Sequence, residues 1–163
     1  MLHTTFALLH REGACAPGYK KLAKHLGGIS KYGASTPIPL AEVLTSNGLD
    51  DALWCLRAVL DTEIATRDRL SRLLACDYAE RALPIFEATY PDDNRPRQAI
   101  EVARRFADGQ ASPEELAAAR DAAWAAAWDA TDAARDAAYG APAYPAEPLW
   151  QAERFKAYLM EVE

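Results

Sequence analysis

Residues 109–140 read GQASPEELAAARDAAWAAAWDATDAARDAAYG, and this stretch decides the fold class. Ser112, followed three residues later by Glu115, forms a capping box: the hydroxyl accepts from the Glu115 amide while the carboxylate reaches back to the serine amide. Pro113 suits a first helical turn, where its missing N–H is no loss. Beyond it Ala dominates, and Ala has the best helix propensity of all residues, so this segment needs little tertiary support to be helical. The pattern predicts about seven turns, closed by Gly140. Ala-Ala-Arg-Asp-Ala-Ala occurs at 118–123 and again at 133–138. The spacing turns the second copy by only about 60° on an α-helix, so this is low complexity within one helix and not a stacked repeat.

Outward from this stretch, short apolar stripes at helical spacing alternate with Gly and Pro breaks. Pro96 opens a helix carrying Ile100, Ala103 and Phe106 and ending at Gly109, after a turn over Tyr90–Asn94. Before that turn, Asp61 or Thr62 caps a longer helix whose inward side holds Ile64, Leu70, Leu73, Leu74, Tyr78 and Leu83. Pro84 is expected to kink or split it. Asp50 and Asp51 favour the positive end of a helix that buries Leu53, Trp54, Leu56 and Leu60. Leu40–Ser46 is a short helix stopped by Asn47-Gly48. Tyr19, Leu22, Ala23 and Leu26 mark another, and Thr5–Arg11 a first, closed by Gly13. Ile29–Pro39 reads as a loop. On the other side, Ala141–Pro148 holds three prolines and reads as an extended connector to a last helix over Leu149–Val162. No alternating apolar/polar run flanked by hairpin turns is present, so strands are minor or absent. The expected fold is all-α, an irregular bundle of about seven helices with one long Ala-rich helix. The expected segments are 1–46, 47–140 and 141–163, packed as one unit.

Net charge is −6 over 163 residues, which disfavours generic phosphate binding. The charge is uneven. Residues 1–40 hold five Lys/Arg against one acid, whereas residues 111–163 hold four against ten. Cys15, Cys55 and Cys76 are odd in number and far apart, which predicts packed thiols in a reducing compartment rather than a disulfide framework or zinc site. No long apolar run spans a membrane, and the first residues lack the features of a secretion signal, so a cytoplasmic protein is expected. His3, His10 and His25 show no metal-ligand spacing, and neither a phosphate loop nor a nucleophile elbow occurs. No catalytic residue, metal or cofactor is assigned; the chain reads as a non-enzyme.

Three places are candidates for interaction. Asp129, Asp132 and Asp136, with Glu153 further on, form an acidic face suited to a basic partner surface. Beside it, Trp124 and Trp128 stand one turn apart. Such a pair is either core or a set of aromatic anchors, and if exposed it favours pairing with a second copy of the chain. Lys20, Lys21 and Lys24, near Tyr19 and Tyr32, are the one basic cluster that a nucleic-acid binder would use. Asp92 and Asp93 with Arg95 and Arg97 either hold a turn by ion pairs or form a small polar site with Glu80, Arg81 and Glu87, the place for a small ligand or an enzymatic centre.

Two stretches carry a resemblance. Residues 75–87, ACDYAERALPIFE, lead into residues 90–100, YPDDNRPRQAI, and the Ala-rich segment Gly109–Gly140 follows. Together they resemble the helical immunity-protein domain of bacterial toxin systems. Residues 47–54, NGLDDALW, and the Ala/Arg/Asp/Trp segment are also similar to small phage and prophage proteins. The chain departs from the immunity-like domain in having no His after His25. The resemblance implies a helical inhibitor that occludes a protein partner. That partner is either a toxin or, in an anti-CRISPR-like role, a host defence complex.

Overall fold

The computed structural model describes residues 1–129 and 147–161. These residues are mostly helical, and the two strands among them are two residues long, in agreement with the all-α expectation. The chain divides into two compact units: Met1–Asp68 together with Ala146–Glu163, and Arg69–Pro145.

The first unit is built around an anchored N-terminus. Strands β1 (His3–Thr4) and β2 (Ile38–Pro39) pair antiparallel, His3 opposite Pro39 and Thr4 opposite Ile38. Their neighbours use the remaining backbone groups: Leu40 N donates to Leu2 O at 2.9 Å and Leu60 N to His3 O at 3.0 Å. Glu63 takes the His3 amide at 2.6 Å and contacts its ring Nδ1 at 2.8 Å. Thr5 then caps α1 (Phe6–Arg11) by accepting from the Leu8 amide at 3.0 Å, which satisfies one of the donors a helix start leaves open.

Helix α2 (Ala16–His25) is followed by a short α3 (Ile29–Tyr32) and then by α4 (Leu40–Asn47) and α5 (Leu49–Trp54). Gly48 separates the last two with φ +99°, a conformation that side-chain-bearing residues rarely adopt. The last described helix, α9 (Glu147–Glu161), packs on α4 and α5. Leu2, Phe6, Leu9, Leu22, Ile38, Leu40, Val43, Phe155 and Leu159 are all buried in this unit.

The structure corrects three local expectations here. Ile29–Pro39 is not loop throughout: α3 forms between Gly28 and Gly33, and β2 follows. Tyr32 holds that region, its ring edge-on to Phe6 and its hydroxyl donating to Pro37 O at 3.1 Å. The expected Asp50–Leu60 helix ends at Trp54 and continues as a 3₁₀ turn over Cys55–Ala58. The tighter turn rotates the buried side onto Ala52, Cys55, Ala58 and Val59, leaving Leu53, Trp54, Leu56 and Leu60 half-buried. Cys15 is exposed rather than packed. Its sulfur caps α2 by accepting from Gly18 N at 3.4 Å.

The second unit contains most of α6 (Ile64–Thr89), α7 (Arg95–Ala107) and α8 (Pro113–Asp129). Leu70, Leu73, Leu74, Cys76 and Leu83 of α6 are buried as expected, whereas Ile64 is exposed. Pro84 does not split α6, which runs on to Thr89. The carbonyl that Pro84 leaves without an intrahelical donor belongs to Glu80, an exposed residue that water can serve. Pro96 stands in the first turn of α7 as predicted. Gly109 closes α7 with φ +71°, and the next amide, Gln110 N, donates to Arg105 O at 2.7 Å.

The capping box of α8 is present in both directions: Ser112 N donates to Glu115 Oε2 at 2.7 Å, and Glu115 N donates to Ser112 Oγ at 3.2 Å. The predicted continuation of this helix to Gly140 and the connector Ala141–Pro148 lie largely outside the described residues.

Candidate interaction surface

In the second unit, α6, α7 and α8 surround an open groove of about 740 Å³. Its walls are small and apolar. α6 contributes Ala75, Ala79 and Ala82, and α7 contributes Ala99 and Ala103. Leu116, Ala117 and Ala123 of α8 supply the third wall, and Leu83, Phe86 and Ile100 add larger apolar side chains. Residues three and four apart share a helix side, and on α6 and α7 these spacings bring the alanines to one face. Sequence reading missed this groove because Ala carries no chemistry of its own. The signal was the recurrence of small residues at helical spacing on three successive helices.

Two guanidinium groups line the groove, Arg72 and Arg120. Arg72 lies over the Phe106 ring at 4.6 Å. Arg120 is highly exposed and has only a loose contact, 3.7 Å, with its sequence neighbour Asp121. Other arginines of this unit hold carboxylates more closely. Arg104 meets Asp77 at 2.5 Å and Glu80 at 2.6 Å, Arg69 meets Asp108 at 2.8 Å, and Arg105 meets Glu115 at 3.3 Å. Cys76, at the groove wall, donates to Ile100 O at 3.8 Å. Burial is the main influence raising its pKa, partly opposed by Arg104.

The Asp92–Arg97 turn is a set of ion pairs. Asp93 takes both Nε and Nη2 of Arg95, at 2.9 and 2.7 Å. These hydrogen bonds hold its carboxyl below the usual carboxylate range. Arg97 makes a two-point contact with Glu87 at 2.8 Å. Asp92 is exposed, and none of these charged groups lines the groove. This is the structural arrangement expected of a charged turn ahead of a helix.

Lys20, Lys21 and Lys24 are exposed on α2, and Lys21 Nζ donates to Asn47 O at 3.5 Å. The two tyrosines near them are turned to packing. Tyr19 stands edge-on to Phe6 at 5.3 Å between ring centroids, and Tyr32 does so at 6.2 Å. Both tyrosines are half-buried. His25, beside the lysines, contacts Glu42 at 3.1 Å.

Trp124 is 72% exposed, so the reading of this residue as core is overturned. At 100° per residue it shares the side of α8 that carries Ala117, Arg120 and Ala123, and so extends the groove-facing stripe. The side chains of Trp128 and Asp129 lie outside the described residues, as do Asp132 and Asp136 altogether. Glu153 is exposed on α9, in the first unit. No group of three His, Cys, Asp or Glu that could hold a metal ion occurs among the described residues. No helix among them is long and apolar enough to cross a membrane.

Comparison with known proteins adds a family. No curated protein and no solved structure matches the chain. The family described as Imm-5 like putative immunity protein matches residues 63–146, which is just over half of the chain and takes in all of α7 and α8, and the chain belongs to that family.

Proposed function

We propose that this chain is a non-enzymatic inhibitor that neutralises a bacterial toxin by binding it. The family match over residues 63–146 carries this reading. It favours a toxin over a host defence complex as the partner, since immunity proteins act on cognate toxins. The contact is electrostatic and steric. The carboxylates of Asp129, Asp132, Asp136 and Glu153 meet a basic surface on the toxin, of the kind that grips nucleic acid, and block it. Supporting this sign of charge, residues 111–163 hold ten acids against four Lys/Arg in a chain of net charge −6.

The test is co-expression with each candidate toxin encoded near this chain's gene, followed by affinity capture and a toxicity assay. The wild-type chain retains the toxin and restores growth. Reversal of Asp129, Asp132 and Asp136 to Lys weakens capture at least tenfold, about 1.4 kcal/mol or more. Equal capture by the reversed variant would remove the acidic face from the account. A prophage setting, implied by the likeness of residues 47–54 to small phage proteins, belongs to the same proposal, and the flanking genes decide it.

A further inference from the structure

We infer that the groove-facing side of α8 is a self-association surface, and that its occupant is α8 of a second copy of this chain. The observation that motivates this is a projection beside a depression on one helix. Trp124 is 72% exposed, and it continues the same stripe of α8 that lines the open apolar groove. A side chain of that size, left largely in water next to a trough walled by alanines, is a knob and a hole within one surface.

A two-fold axis makes such a surface self-complementary, because each copy then offers its knob to the other's hole. A two-fold axis at the height of residue 122, on the stripe side and with the helices antiparallel, sets Trp124 of each copy level with Arg120 of the other. The electrostatics agree with this register. Arg120 lines the groove, is highly exposed, and has only the 3.7 Å contact with Asp121. A guanidinium so placed is matched by the negative face of an indole ring. Ala117 and Ala123 on the same stripe let the two helix backbones approach closely.

Size also fits. The 17 residues of α8 make a rod about 25 Å long. Two such rods seated reciprocally against groove walls cover on the order of 1,200 Å², the lower end of what a specific dimer buries.

Sedimentation equilibrium of the full chain, from about 1 to 200 µM, tests the inference. The wild-type mass is expected to rise with concentration from that of one 17.8 kDa chain towards twice that value. Trp124→Ala should move the midpoint at least tenfold higher, and Trp124→Phe, which keeps an aromatic face, by less. Ala79→Glu, which places a charge in the opposite wall, should also raise it at least tenfold. Trp124 and Ala79 are both exposed, so helicity by circular dichroism should be unchanged in all three and serves as the folding control. A wild-type chain that stays monomeric throughout overturns the inference. So does a dimer whose midpoint neither Trp124→Ala nor Ala79→Glu shifts, because association would then use another surface.

Discussion

Arg104 reaches from α7 to the carboxylate of Asp77 on α6 at 2.5 Å, and the same Nη2 also meets Glu80 at 2.6 Å. Asp77 is only 7% exposed, so the guanidinium compensates a charge that water barely reaches. This pairing ties α6 to α7 at the edge of the groove, next to Cys76.

Breaking it from one side should be costly. Arg104→Ala leaves the Asp77 charge without its guanidinium and is expected to destabilise the fold by about 2–4 kcal/mol. Glu80→Ala, which removes the exposed partner only, should cost about 0–1 kcal/mol. Urea unfolding of both variants measures the difference; equal losses would mean that Asp77 is served as well by other groups.

Gly18 gives a prediction opposite to helix propensity. It lies inside α2, where Ala in place of Gly ordinarily stabilises by about 1 kcal/mol. A Cβ there would stand 2.7 Å from Asp51 Oδ2 and 3.1 Å from Cys15 Sγ. Asp51 Oδ2 also accepts from Asn47 Nδ2 at 2.7 Å, so it is not free to swing away without loss. Gly18→Ala is therefore expected to lower stability by up to about 1 kcal/mol. In an Asp51→Ala background the same change should lose less or become stabilising. A double-mutant cycle reads the coupling, expected at about 1 kcal/mol.

The start of α8 depends on the Ser112–Glu115 exchange. Ser112→Ala should destabilise by about 1 kcal/mol, with helix loss confined to the first turns of α8. The Ser112 amide is the chief cause holding the Glu115 carboxyl below its ordinary value, and the Ser112 hydroxyl does the same for Glu114. A carboxyl depressed in the folded state contributes stability that is present above its unfolded pKa, near 4.5, and is lost as pH falls through the folded value. Ser112→Ala keeps the amide at Glu115 but removes the hydroxyl at Glu114, so its acid titration by circular dichroism should show a slightly weaker dependence below about pH 4.5 than the wild type.

The three thiols should differ sharply in reactivity. Cys15 is exposed and should label with a thiol reagent in the native state, while Cys55 and Cys76 are buried and should label only on unfolding. Burial is the main cause pushing the Cys55 thiol up to about 12, with Asp51 adding to it. Because the unfolded chain loses this proton first, stability is untouched below pH 9 and falls as pH rises from 9 towards 12. Cys55→Ser should flatten that decline; an unchanged alkaline limb would assign it to another group.

Much of the helix plan was legible because its signals are local. The capping box at Ser112, the stop at Gly48 and the proline in the first turn of α7 each act within a few residues, and each stands where its chemistry requires. The errors lie where distant contacts decide. Tyr32 is held by Phe6 and Pro37, which turns part of an expected loop into α3. A 3₁₀ turn, invisible to 3.6-residue periodicity, moved burial from Leu53 and Leu56 to Cys55 and Val59. The groove could not be read at all, since it is a property of three helices together and its walls are mostly Ala. Trp124 was ambiguous for a related reason: spacing places a residue on a face but does not say whether anything covers that face.

The most direct test of the immunity reading is a stoichiometric titration, with the full chain, of a purified toxin that the chain captures, read by residual toxin activity. A binding inhibitor abolishes activity at a fixed molar ratio, with a sharp end point and intact toxin recovered after dissociation. Undiminished toxin activity at excess chain would contradict the account, as would inactivation by a small fraction of an equivalent that grows with time.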